Sequence, residues 1–206
     1  MAPVRAGLID YEAGNLRSIG RALRLAGTEP VLIDRPVQGA GIDLLVLPGV
    51  GAFGAAMRRL HAAGLAEWLR AQVADGVPLA GVCLGMQLLY ERSEEGGDVE
   101  GLMLLRGRVR RLTAGVKIPH MGWNQLRFQQ SSPLLEGVRD GAHVYFVHSY
   151  VVEPADFREV LAVTSYGGGF PAMVRRERIT GWQFHPEKSG DTGLRLLRNL
   201  VASAVA

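Results

Sequence analysis

Up to residue 90, short apolar runs alternate with amphipathic stretches, and that alternation leaves few architectures open. Val4–Ile9, Pro30–Ile33, Asp43–Leu47 and Val77–Val82 read as strands. Asn15–Ala26, Phe53–Arg59 and Leu65–Ala74 read as helices between them. In the first helix Leu16, Ile19 and Leu23 share one face, and Arg17, Arg21 and Arg24 another. Such alternation predicts a parallel sheet covered on both faces, joined by right-handed crossovers. The second half changes character. Leu102–Leu112, Trp123–Phe128, His143–Val151, Glu159–Ser165 and Ala172–Phe184 read as strands, mostly joined by turns, and Thr192–Ala202 as a closing helix. The expected fold is therefore α/β: an open, doubly wound, mostly parallel, flavodoxin-like sheet with helices on both faces, carrying a strand-rich, partly antiparallel second half. With 206 residues and no repeats, low-complexity tracts or linker-like segments, residues 1–206 read as one domain.

Composition narrows the setting. One cysteine forms no internal disulfide, so nothing points to an oxidising compartment. The start, Met1-Ala2-Pro3-Val4-Arg5, does not read as a signal peptide, and no run of 18 apolar residues exists, so a cytoplasmic protein without a membrane span is expected. The net charge of +3 comes largely from two arginine clusters, at residues 106–111 and 175–178. Neither is interleaved with aromatics, so no nucleic-acid partner is expected. Both suit solvated strand faces, or a surface that meets an acidic protein.

The chemistry starts at Gly81-Val82-Cys83-Leu84-Gly85, where the apolar run Pro78–Val82 meets the helix-like Leu84–Tyr90. A lone thiol flanked by glycines at minus two and plus two sits on a sharp strand-to-helix turn, the layout of a nucleophile elbow. The plain alternative is a cysteine that merely packs as a small hydrophobe. A thiol nucleophile needs a base, and the base an orienting carboxylate. Of five histidines, His185 lies in Phe184-His185-Pro186-Glu187, where Pro186 ends ladder pairing. Extended geometry puts His185 and Glu187 on one side, giving a Cys83–His185–Glu187 triad. The amide of Leu84, opening a helix, suits an oxyanion donor. A second donor could come from Val50 or Gly51 in Pro48-Gly49-Val50-Gly51, whose glycines allow a flipped peptide; equally, this is an ordinary glycine-rich turn. No metal is implied, because candidate ligands are not spaced as in metal sites, and no organic cofactor either, for want of a phosphate-binding loop.

The cysteine and His-Pro-Glu blocks resemble the class I, triad-type glutamine amidotransferases. Asp10–Ser18, Pro48–Met57, Pro119-His120-Met121-Gly122-Trp123-Asn124, Phe146-Val147-His148-Ser149-Tyr150 and Phe184–Ser189 narrow the resemblance to one subfamily, the glutaminase subunits of imidazole glycerol phosphate synthases of histidine biosynthesis. The resemblance implies a subunit that hydrolyses L-glutamine and passes ammonia to a (β/α)-barrel cyclase, as a heterodimer. By motif position it assigns Gly49, Gly51, Gln87, Glu95, Ser149 and Tyr150 to glutamine, with Glu95 on the α-ammonium. It assigns Asn15, His120, Met121, Trp123, Asn124 and Lys188 to the cyclase interface. On sequence physics alone Glu95 equally suits a solvated acid, Ser149 and Tyr150 a strand end, and Trp123 a core position. One departure stands out: Glu12 occupies a position where the family pattern leads one to expect glycine. The rival readings are a triad subunit serving anthranilate or pyridoxal phosphate synthesis, a non-catalytic interaction subunit, and a free-standing thiol hydrolase.

Overall fold

The computed structural model describes residues 3–12, 14–112 and 115–205; Met1, Ala2 and Ala13, which figure in the reading above, lie outside the described residues. The first half builds β1 (Val4–Ile9), α1 (Leu16–Leu25), β2 (Thr28–Ile33), β3 (Leu44–Leu47), α2 (Phe53–Ala62), α3 (Leu65–Ala74), β4 (Leu79–Val82) and α4 (Leu84–Leu88). Every residue of β3 and β4 is buried, which is why these strands read as continuous apolar runs. α1 turns Ile19 and Leu23 inward and keeps its arginines outside.

The second half adds β5 (Tyr90–Ser93), β6 (Val99–Glu100), β7 (Leu105–Arg111), β8 (His120–Gln125), β9 (Arg127–Phe128), β10 (His143–His148), β11 (Tyr150–Pro154), β12 (Val160–Thr164), β13 (Phe170–Arg176), β14 (Ile179–Trp182) and α5 (Gly190–Ala204). Several boundaries differ from the sequence reading. β5 and β6 carry exposed charges and were not expected. The run Ala172–Phe184 is a hairpin, turned at Glu177 with φ 54°. His143–Val151 breaks at Ser149, and its two parts join different sheets.

The main sheet has the order β2-β1-β3-β4-β14-β13-β12-β9. Its first five strands are parallel and the rest antiparallel. Strand order reverses between β1 and β3, and open sheets of this kind place reactive groups beyond the carboxyl ends of their strands. Side chains of α1 and α5 pack on one face with Leu8, Val46 and Trp182. Those of α2 and α3 pack on the other with Leu45, Leu47 and Leu79. Beside this core lie the sheet β11-β7-β5-β6 and the two-stranded ribbon β10-β8.

Candidate active site

Cys83 stands where β4 ends and α4 begins, with φ 55° and ψ −111°. A non-glycine residue in that region stores strain, and it persists because its surroundings hold it. The Cys83 N–H donates to the Trp182 carbonyl at 2.7 Å, tying the elbow to the neighbouring strand. A side chain at Gly85 would collide with the Leu47 carbonyl, so only glycine lets the elbow sit this close to β3. The sulfur lies 3.8 Å from the Val147 carbonyl and 3.8 Å from Gln183 Nε2.

His185 follows β14, and its N–H donates to the Tyr145 carbonyl at 2.9 Å. Its Nδ1 meets Glu187 Oε1 at 2.8 Å, with both side chains almost wholly buried, 2% and 1% exposed. Asn15 Nδ2 donates to the same carboxylate oxygen. The second ring nitrogen, Nε2, has no hydrogen-bond partner among the described residues. Burial pushes the imidazole down, but the Cys83 sulfur and the Glu187 carboxylate outweigh it and raise His185 to about 9. Cys83 and Glu187 thus both act on the one imidazole, the carboxylate through Nδ1.

A cavity of about 310 Å³ opens on the sulfur, lined among others by Val50, Gly51, Leu84, Gln87, Glu95, Ser149 and Tyr150. A roomier cavity of about 660 Å³ beside α5 contains no triad member, so chemistry rather than size marks the site. The Leu84 amide opens α4, outside that helix's own ladder. Gly51, at φ 103°, occupies the left-handed region that glycine tolerates. Gly49 does not line the cavity. It is wedged beneath, where an added Cβ would come 2.5 Å from the Tyr11 hydroxyl and 2.8 Å from the Leu84 Cβ.

Several of the expected site residues have partners of their own. Gln87 lines the cavity, but its amide nitrogen is spent inward, on the Tyr150 carbonyl at 2.9 Å and Gln183 Oε1 at 3.1 Å. Glu95 Oε2 accepts the Phe53 amide at 2.8 Å, at the start of α2. His120 is not on the surface: it is 4% exposed and stacked against Phe146 and Tyr166. Its side chain points inward because β8 alternates, sending Met121 and Trp123 out. Asn15, expected at a partner face, gives its side-chain amide to Glu187. Asn124 likewise turns its amide inward, to His120 and the Ser165 carbonyl.

Three residues were missed. Tyr11 is buried and donates to the Pro48 carbonyl at 2.8 Å, pinning the start of the glycine loop; burial, then Cys83, push its hydroxyl up. Gln183, two residues before His185, is fully buried and aims its amide at the sulfur. Its even spacing from His185 was the one signal available. His148 lines the cavity. Among the described residues no three His, Cys, Asp or Glu side chains gather as a metal site, and no helix is long and apolar enough to cross a membrane.

The sequence model of the family described as "Glutamine amidotransferase class-I" matches residues 7–204. The chain is 50% identical over 201 residues to the imidazole glycerol phosphate synthase subunit HisH of Geobacillus thermodenitrificans (strain NG80-2), covering 95% of this chain and 94% of that one. To the protein of the same name from Aquifex aeolicus (strain VF5) it is 47% identical over 202 residues, covering 98% of each. Among solved structures, one titled as a glutamine amidotransferase superimposes with a TM-score of 0.79 at 24% identity, over 98% of this chain and 99% of that chain. PurLQS from Thermotoga maritima does so with a TM-score of 0.76 at 19% identity, over 98% and 99%.

Proposed function

Because the chain belongs to the class I glutamine amidotransferases, we propose that it is the glutaminase subunit of an imidazole glycerol phosphate synthase, hydrolysing L-glutamine and handing ammonia to a (β/α)-barrel cyclase in histidine biosynthesis. The observation that carries this reading is His185, hydrogen-bonded to Glu187 through one nitrogen and acted on by Cys83, which lines the cavity. Residues 1–206 act in this reading as one amidotransferase domain, cytoplasmic and paired with the cyclase as a heterodimer.

Glutamine lies with its side-chain amide over Cys83. Its α-ammonium faces the Glu95 carboxylate, and its backbone lies along Gln87, Ser149 and Tyr150. His185 takes the thiol proton, and the thiolate adds to the amide carbon. The carbonyl electron pair moves onto oxygen, where the amides of Leu84 and of the Val50–Gly51 segment meet it. His185 then gives its proton to the amide nitrogen, the C–N bond breaks, and ammonia leaves a γ-glutamyl thioester. Water, deprotonated by His185, adds to the thioester. The C–S bond breaks, glutamate departs and the sulfur regains its proton.

The cyclase would meet the outer face of the β8–β10 ribbon. Met121 and Trp123 are 64% and 57% exposed there, and Lys188 lies over the Tyr145 ring, 5.7 Å from its centroid. Exposed aromatic and cationic groups of this kind anchor interfaces.

Cys83→Ala tests the reading directly. With the cyclase present, glutamine-dependent synthesis should fall at least about 10³-fold, while synthesis supplied with ammonium salt should persist. Retained glutamine turnover would show that the sulfur is not the nucleophile.

A further inference from the structure

The ribbon's inner face carries two buried histidines directly opposite each other, His120 on β8 and His148 on β10. They are 4% and 6% exposed, inside an aromatic cluster with Phe146 and Phe170. The triad mechanism uses neither. Buried imidazoles keep their place when every nitrogen is satisfied, and here the hydrogen bonds run in one direction.

That direction follows from the acceptors. His148 Nδ1 lies 3.0 Å from the Tyr150 carbonyl, which can only accept, so Nδ1 carries the proton. His148 Nε2 is then bare and accepts from His120 Nδ1 at 3.0 Å. His120 Nε2 is bare in turn and accepts from Asn124 Nδ2 at 3.3 Å. Asn124 is oriented by its own oxygen, which takes the Gln125 amide at 2.8 Å. Each ring thus holds one proton and no charge. Burial also pushes His148 down to about 3, opposed by its bond to Tyr150 and helped by His120 and His185, the titratable groups that act on it. Burial alone lowers His120.

The row ends on the glutamine pocket. The Tyr150 carbonyl accepts from Gln87 as well as from His148, and His148, Ser149 and Tyr150 all line the cavity. We propose that His120 and His148 are positioning residues that fix the Tyr150 corner of the glutamine pocket through a one-way row of hydrogen bonds starting at Asn124, on the strand whose opposite face carries Met121 and Trp123. The proposal rests on the glutaminase reading. It gives the two faces of one ribbon complementary tasks, a partner outside and a pocket wall inside.

The test uses the chain with its cyclase. His120→Phe keeps a stacked ring and loses the donor; His120→Asn keeps a donor at the Nδ1 position and loses the ring. The Phe variant should raise the KM for glutamine about fivefold, the effect of one lost hydrogen bond, with kcat within about twofold. The Asn variant should recover most of that loss. An unchanged KM in the Phe variant, or an Asn variant no better than it, would overturn the proposal. If the Phe variant does not fold, His148→Leu against His148→Asn asks the same question, since Asn keeps the donor to Tyr150. Imidazole ¹⁵N shifts of the full chain need neither glutamine nor partner. A neutral Nδ1–H His148 down to pH 5 supports the row, and an Nε2–H tautomer or an imidazolium at pH 6 overturns it. Absence of glutamine turnover in the unmodified complex would instead sink the glutaminase reading.

Discussion

Two strand-to-helix turns stand side by side at the carboxyl edge of the sheet, and they are built to opposite specifications. The turn after β4 holds Cys83 in a strained left-handed conformation, buried and tied to Trp182. The turn after β3 reaches the same cavity with Val50 and Gly51 exposed, and its left-handed residue is a glycine. The first holds strain to present a side chain, which the proposed reaction uses as its nucleophile. The second presents only backbone amides, so a glycine serves and nothing is stored. In the proposed reaction the locked turn supplies the nucleophile and the Leu84 amide, and the turn left open to solvent supplies the second oxyanion donor.

Three substitutions probe this contrast. The largest effect should come from the open turn. Gly51→Ala forces an L side chain into φ 103° or moves the peptide away from it. Glutaminase kcat with the cyclase present should fall at least about tenfold, as when an oxyanion donor is displaced, while Cys83 alkylation by iodoacetamide keeps its rate. A parental kcat would remove this loop from the oxyanion site.

The next probe acts on the locked side. His185 is raised to about 9, and in the proposed reaction its imidazolium protonates the departing nitrogen. Activity should therefore fall as pH rises through about 9, when that proton is lost. Glu187→Gln removes the carboxylate that helps hold the proton, so the falling limb should move to lower pH. A kcat/KM profile measured from pH 6 to 10 checks this, and a limb that stays in place would mean that another group sets it.

The smallest effect belongs to a third turn, after β1. Glu12 sits there at φ 62°, with its N–H on Asp10 Oδ1 at 3.0 Å and its carbonyl taken by Arg59 at 2.9 Å. This residue is strained like Cys83, yet its side chain is exposed and has no part in the chemistry. The family pattern leads one to expect glycine at this position, and the conformation explains why. Glu12→Gly should stabilise the chain by about 1 kcal/mol, less whatever glycine adds to the unfolded chain's freedom. Urea denaturation would show it as a higher midpoint with an unchanged slope. No gain would mean that the ion pair with Arg59, 3.5 Å apart, is worth as much as the strain.

Legibility in the sequence divides along similar lines. The parallel half could be read because its strands are buried on both faces and its turns are marked by glycine. The antiparallel half was read less well. β5 has two exposed charged residues, Glu91 and Arg92, at its centre, so no apolar run announces it. The β13–β14 hairpin turns at Glu177-Arg178 without glycine, proline or asparagine, so two strands looked like one.

What the sequence settled unaided was local. The elbow follows from Gly81, Cys83 and Gly85. His185 and Glu187 do meet, but not through the extended geometry expected of them: Pro186–Lys188 is a 3-10 turn, and it brings the carboxylate back to the ring. Only tertiary structure could decide that Asn15 holds Glu187 from 172 positions away, that Gln183 faces the sulfur across 100, and that His120 turns inward to His148. The reason is physical. Which face of a strand is buried depends on its register with a distant partner, and a shift of one residue would send Trp123 inward and His120 out.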